Sequence, residues 1–185
     1  MPAVARAGNS ARALLLTGVP GVGKTTLVRA VAAALSGRRL RGFTTDEIRQ
    51  RGERAGFRMV PFGEQSRIMA HVSFRGPARV GRYGVDVAAI DAVCDTELAL
   101  DPDAELYLVD EIGKMECFST RFVAAVRRLF LSDRPVVATV ARRGGGLIEE
   151  IKRRRDVVLW EVSVANRDAL VSRVLGWIDA RLDGG

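Results

Sequence analysis

The chain has 185 residues, 48% of them hydrophobic, enough for one domain with a buried core of ordinary size. Its formal charge of +7 comes almost wholly from arginine, spread through short runs such as Arg127-Arg128, Arg142-Arg143 and Lys152 to Arg155. That pattern suits anionic ligands and does not favour nucleic acid, because such runs are ordinarily solvated faces. Cys94, Cys117 and His71 are too few and too scattered for a disulfide scaffold or a zinc site.

Along the chain, Ala13 to Thr17 reads as a short buried strand and Lys24 to Leu35 as a helix with one apolar face, closed by Ser36-Gly37. The Ala/Arg-rich residues 1 to 12 suggest a targeting peptide, but the apolar run after them, Ala13 to Leu16, is too short for one. From Leu40 to Val85, brief segments such as "GFRMVPF" and "RIMAHVSF" alternate with Gly and Pro turn signals, which predicts hairpins extending the sheet. Val87 to Leu100 has helical spacing at Ile90, Val93 and Leu98. Beyond Asp101-Pro102 the order is regular: strand Glu105 to Asp110, helix Ser119 to Leu131, strand Pro135 to Val140, helix Leu147 to Arg154, strand Val157 to Val164, helix Arg167 to Leu182. Apolar strands alternating with amphipathic helices predict an α/β protein, a mostly parallel sheet covered on both faces. Ligands of such sheets bind beyond the carboxyl ends of the strands. No linker or repeat divides the chain, so residues 1–185 are expected to be one domain, with about 40–85 a hairpin insertion. No apolar stretch nears the roughly 18 residues of a membrane span, and a cytoplasmic monomer is expected.

Gly18-Val19-Pro20-Gly21-Val22-Gly23-Lys24-Thr25 fits G-x-x-x-x-G-K-[ST] between a strand and a helix, the context this motif requires. With 19 Gly and three Lys in the chain, chance would produce the pattern in about one such chain in a few hundred. Its glycines let the backbone wrap an anion, and loop N–H groups with the helix N-terminus supply fixed positive potential. Lys24 would reach the terminal phosphates, Thr25 would join Mg2+ coordination and Thr26 would touch the first phosphate. A second segment, Leu108-Val109-Asp110-Glu111-Ile112-Gly113-Lys114-Met115, ends a strand in two carboxylates. Asp110 there can hold Mg2+, and Glu111 can deprotonate a water. Lys114 would counter phosphate charge or pair with Glu116. Thr139 would sense the attacked phosphate, and Arg142 or Arg143 would stabilise developing charge. Thr44 to Arg49 and Gly81 to Gly84 can approach the terminal phosphate, or simply form turns. Ala165 to Asp168 lies where base contacts are common, with Asn166 preferred as a helix cap. His71, Trp160 and Trp177 read as packing residues, and the cations ending the Leu147 helix as partners of its dipole.

The combination of "GVPGVGKTTL", "GFTTDEIR", "GFRMV", "VGRYGVDV", "VDEIGKME", "VVATV" and "IEEIKRR" followed by "ANRD" resembles the THEP-type nucleoside-triphosphatases, a family of small phosphate-loop hydrolases that includes the human cancer-related nucleoside triphosphatase. The resemblance spans nearly the whole chain, and "GRYGVDV" and "DEIGKME" are its more specific parts. It implies a RecA-like, three-layer phosphate-loop fold with the Thr139 strand between the loop strand and the Asp110 strand. It also implies Mg2+-dependent hydrolysis of nucleoside triphosphates with loose base preference, and nucleotide contacts at Gly18 to Thr25 and Leu108 to Met115. Ala141 departs from the family pattern, in which a histidine often follows "ATV"; Cys117 stands where an apolar residue is usual. Two alternatives share the loop: a nucleotide or nucleoside kinase whose acceptor pocket is shaped by Leu40 to Val85, and a slow nucleotide-dependent switch that binds RNA.

Overall fold

The computed structural model describes residues 11–183, so most of the Ala/Arg-rich opening lies outside the described residues. Strand β1 (Ala13–Thr17) leads through the glycine loop into α1 (Lys24–Ala34). Five strands follow: β2 (Leu40–Gln50), β3 (Glu53–Pro61), β4 (Arg67–His71), β5 (Arg79–Val80) and β6 (Tyr83–Val85). Then come α2 (Val87–Glu97), β7 (Leu106–Ile112), a short 3-10 turn at Glu116–Phe118, α3 (Thr120–Leu131), β8 (Val136–Val140), α4 (Leu147–Lys152), β9 (Val157–Glu161) and α5 (Arg167–Leu182).

All of these strands join one sheet in the order β5-β6-β4-β3-β2-β7-β8-β1-β9. The segment β2-β7-β8-β1-β9 is parallel, and β3 to β6 continue it antiparallel. β8 lies between β7 and β1, as the family resemblance implies. β2 serves both parts: Leu40–Phe43 pair with β7, and Phe43–Gln50 pair with β3. The hairpins are therefore a sideways extension of the sheet.

Burial on both faces explains the apolar runs. In β1, Ala13 and Leu15 pack into one core with residues of α2, α3 and α4, while Leu14 and Leu16 pack into the other with α1 and α5. β7 divides in the same way, Tyr107 and Val109 against Leu106 and Leu108. The Tyr107 hydroxyl donates to Ala99 O at 2.8 Å and accepts from Asp101 N at 2.9 Å, so even this buried polar atom is satisfied. Asp86 caps α2 by accepting from Ala89 N, and Ser119 caps α3 by accepting from Phe122 N.

Gly42 has φ +113°, and a Cβ there would lie 1.9 Å from Leu108 O. Only glycine lets β2 come this close to β7. The fully buried Glu97 fixes the same junction by accepting from Gly42 N at 3.1 Å and Gly63 N at 3.0 Å, and burial pushes its pKa up against those donors. No sequence motif flagged it.

Several expectations change. α4 stops at Lys152, whose ammonium donates to Arg142 O at 2.9 Å, and Arg154 pairs with Asp156 instead of extending the helix. β9 stops at Glu161; as an edge strand it leaves Leu159 exposed and Trp160 only half-buried, with Arg173 4.8 Å from the ring centroid. Trp160 packs against the α1–α5 core from this edge, and Trp177 is buried within it. Asn166 stands at the start of α5 but does not cap it. Its side chain accepts from Ser163 N and donates to Glu161 O, fastening the β9–α5 loop. His71 ends β4, buried, with Nδ1 2.6 Å from Ser73 Oγ and far from the glycine loop in sheet order. No helix among the described residues is long and apolar enough to cross a membrane.

Candidate active site

The carboxyl ends of β1, β7, β8 and β2 open into a cavity of about 940 Å³. Its floor is the glycine loop. Gly23, at φ +106°, turns the chain into α1, whose first turn has no acidic residue and no side-chain cap. The first N–H groups of α1 are thereby left for an anion. Gly18, Val19, Pro20, Gly21, Gly23, Lys24, Thr25 and Thr26 line the cavity, whereas the Val22 side chain is buried in the core beneath.

Lys24 is buried, and its ammonium lies 3.2 Å from Gly18 O, 3.4 Å from Val19 O and 3.6 Å from Glu111 Oε2. The loop carbonyls and one carboxylate thus hold the charge where terminal phosphate oxygens would meet it. Asp110, at the end of β7, is 1% exposed. Its Oδ1 accepts from Thr139 Oγ1 at 2.7 Å and its Oδ2 from Thr45 N at 3.3 Å; the Thr25 hydroxyl lies on the same side and favours its charged form. Burial raises the Asp110 pKa, and these donors act against the rise. Burial likewise raises Glu111, opposed by Lys24 and reinforced by Asp110. Glu116, buried under the same loop, is pushed up to about 8 by burial, although backbone N–H groups favour its charged form.

Thr25 and Asp110 provide a hydroxyl and a carboxylate at one point. Mg2+ takes hard oxygen donors and commonly uses one or two protein ligands, with water and phosphate oxygens completing its octahedron. The two residues fit that ion. No group of three or more His, Cys, Asp or Glu side chains suited to a metal occurs among the described residues, and an ion bound jointly with a phosphate needs none.

The structure redistributes the other candidates. Thr139 is fully buried and its hydroxyl is engaged by Asp110, so it positions that carboxylate and does not touch the cavity. Leu108, Val109 and Ile112 point into the two cores, leaving Asp110, Glu111, Gly113, Lys114 and Met115 as the part of that segment on the wall. Lys114 is exposed while Glu116 is buried, and no ion pair joins them among the described residues. Arg142 and Arg143 line the cavity, as do Thr45, Asp46 and Glu47 of the "TTDEIR" segment. Gly81 to Gly84 lie off it; Val80 is the nearest lining residue. From the β9–α5 loop, Arg167 donates to Val22 O at 3.2 Å and lies against Gly23, buttressing the glycine loop. Sequence reading missed Arg29, Arg54, Phe57 and Met69, which complete the wall. Arg29 follows the glycine loop on α1, and for Arg54, Phe57 and Met69 the only signal was their place in the hairpin insertion.

Comparison with known proteins agrees with this architecture. The profile of the NTPase family matches residues 13–175. The chain is 37% identical over 164 residues to the nucleoside-triphosphatase THEP1 of a Thermotoga species, strain RQ2, spanning 88% of this chain and 92% of that protein. It is 34% identical over 181 residues to the human cancer-related nucleoside-triphosphatase, spanning 89% and 95%. The crystal structure of THEP1 from Aquifex aeolicus superposes with a TM-score of 0.80 at 35% identity, covering 90% of this chain and 98% of that one. With a match over most of its length and the same fold, the chain belongs to the NTPase family of nucleoside-triphosphatases.

Proposed function

We propose that the protein hydrolyses nucleoside 5'-triphosphates in the presence of Mg2+, releasing the diphosphate and inorganic phosphate with little discrimination among bases. The observation that carries this is the position of Glu111: its carboxylate is 3.6 Å from the Lys24 ammonium and adjacent to Asp110 on the cavity wall. A carboxylate there stands beside the terminal phosphate that Lys24 would bind, where it can take a proton from an in-line water. Lys24 and the N–H groups of the glycine loop hold the β- and γ-phosphates and stabilise charge as the bridging oxygen leaves. Thr25 and Asp110 would hold Mg2+, which when bound neutralises phosphate oxygen charge; Thr139 and Thr45 N fix the carboxylate for that purpose. Arg142 and Arg143, on the loop after β8, supply further positive potential over the phosphates. Loose base preference fits a glycine loop that contacts phosphate through its backbone.

The test is phosphate release from ATP, GTP, CTP and UTP with Mg2+ and no acceptor. Comparable release from all four supports the proposal, and absence of release from any of them defeats it.

A further inference from the structure

The cavity is longer than a triphosphate requires. Strands in a sheet lie about 4.8 Å apart, so β7, two places from the loop strand β1 in the sheet order, is about 10 Å away. β3 stands two places further on, about another 10 Å. Glu111 is at the end of β7, and the terminal phosphate must meet it. The ribose and base of that nucleotide therefore leave toward β9 and α5, where Arg167 abuts the glycine loop. The opposite end of the cavity, beyond Glu111, is walled by Phe57, Met69, Arg54 and Glu47. A triphosphate placed in that direction leaves this end open.

This end has the composition of a small-molecule pocket. Phe57 is half-buried, with its ring edge-on to Tyr83 at 5.2 Å and the Arg54 guanidinium 5.6 Å from its centroid. Arg54 and Glu47 form an ion pair, so the pocket is close to neutral. The Arg54 Nε is buried without a hydrogen-bond partner, and Met69 supplies an apolar floor. An aromatic face, a donor lacking a partner and a carboxylate together match a neutral, ring-bearing molecule with hydroxyl groups.

Resting on the triphosphate placement proposed above, we infer that the hairpin end of the cavity binds a nucleoside-class alcohol and that the enzyme transfers the γ-phosphoryl group to it. The acceptor hydroxyl oxygen forms a bond to the γ-phosphorus as the bond from that phosphorus to the β–γ bridging oxygen breaks. Glu111 takes the hydroxyl proton, and the nucleoside diphosphate leaves with the electron pair. Products are a nucleoside diphosphate and a phosphomonoester. Hydrolysis is the same step with water in the acceptor's place.

The experiment uses γ-labelled ATP and Mg2+, with adenosine, guanosine, cytidine or uridine added at millimolar concentration, and separates labelled monophosphate from labelled phosphate. A labelled monophosphate from at least one nucleoside is expected. Phe57→Ala should lower the ratio of monophosphate to phosphate at least tenfold, and Phe57→Tyr should retain most of it. Arg54→Gln should lower the ratio as well and serves if Phe57→Ala does not fold. Undiminished phosphate release with no monophosphate from any nucleoside overturns the inference and leaves hydrolysis standing. No labelled product with or without nucleoside overturns both. In a parallel arm with the corresponding nucleoside monophosphates as acceptors, transfer to these alone contradicts a neutral acceptor. An increase in the KM for ATP on Phe57→Ala without any acceptor would place the substrate's own base in this pocket, and the inference would fail.

Discussion

Replacing Glu116 by Gln should make the protein more stable at pH 8 than the parent, with much less difference at pH 5. Glu116 is 4% exposed, and burial raises its pKa from 4.5 to about 8. A carboxyl raised in the fold binds its proton more tightly there than in the unfolded chain. Its contribution is therefore fully present below about pH 4.5 and is lost as the pH climbs toward 8. At 1.36 kcal/mol per pKa unit, the loss between pH 5 and pH 8 is about 3.5 kcal/mol as an upper figure. Relaxation around the ionised group should reduce it to about 1–2 kcal/mol. Glutamine keeps an oxygen for the N–H groups of Gly113 and of residue 116 itself, so the variant loses the ionisation and little else. Carboxylates with lowered pKa values, such as Glu47, Asp101 and Asp156, act below this window. Asp110, Glu111 and Glu97 act in the same direction as Glu116 but remain in both proteins. The assay is urea unfolding of parent and variant at pH 5, 6, 7 and 8. Parallel stability profiles across that range would refute the reasoning.

Other consequences are as direct. Thr139→Val should leave the fold intact at a cost of about 1–2 kcal/mol and lower kcat by releasing Asp110, seen as a weaker response of phosphate release to Mg2+ titration; an unchanged Mg2+ dependence would remove Thr139 from the site. Glu97→Ala should destabilise by about 2–4 kcal/mol, because Gly42 N and Gly63 N lose their acceptor; chemical denaturation reads this, and a loss below 1 kcal/mol would contradict the clamp. The acid limb of the kcat profile should lie above the ordinary carboxylate range, since burial raises Glu111 and a protonated base cannot accept from water; a limb near pH 4 would exclude Glu111 as the base.

What the sequence revealed followed from local rules. The glycine loop needs fixed residue types at fixed spacing, and strands buried on both faces must be apolar throughout, so β1, β7 and β8 were legible almost to the residue. Asp110 and Glu111 were legible because they end such a strand. Thr139 was found, but its partner was not, because a hydrogen bond between neighbouring strands depends on register. The hairpin side of the cavity was illegible for a similar reason. Arg54, Phe57 and Met69 belong to strands whose alternation suits any half-buried sheet, and only the pairing of β2 with β7 carries them to the loop's side of the molecule. Glu97 lay on a helix with nothing to mark it, since its acceptors' partners are backbone N–H groups of distant glycines. Trp160 and Trp177 both pack as their periodicity implies, but periodicity does not distinguish an edge strand from a central one, so the half-exposure of Trp160 was not legible.

Comparing Glu111→Gln with the parent in Mg2+-dependent phosphate release, alongside triphosphate binding, tests the central claim most directly. Loss of a positioned base should lower kcat by about 100- to 10,000-fold, while binding through the glycine loop and Lys24 persists. Full activity in the variant would contradict the account, whatever its affinity.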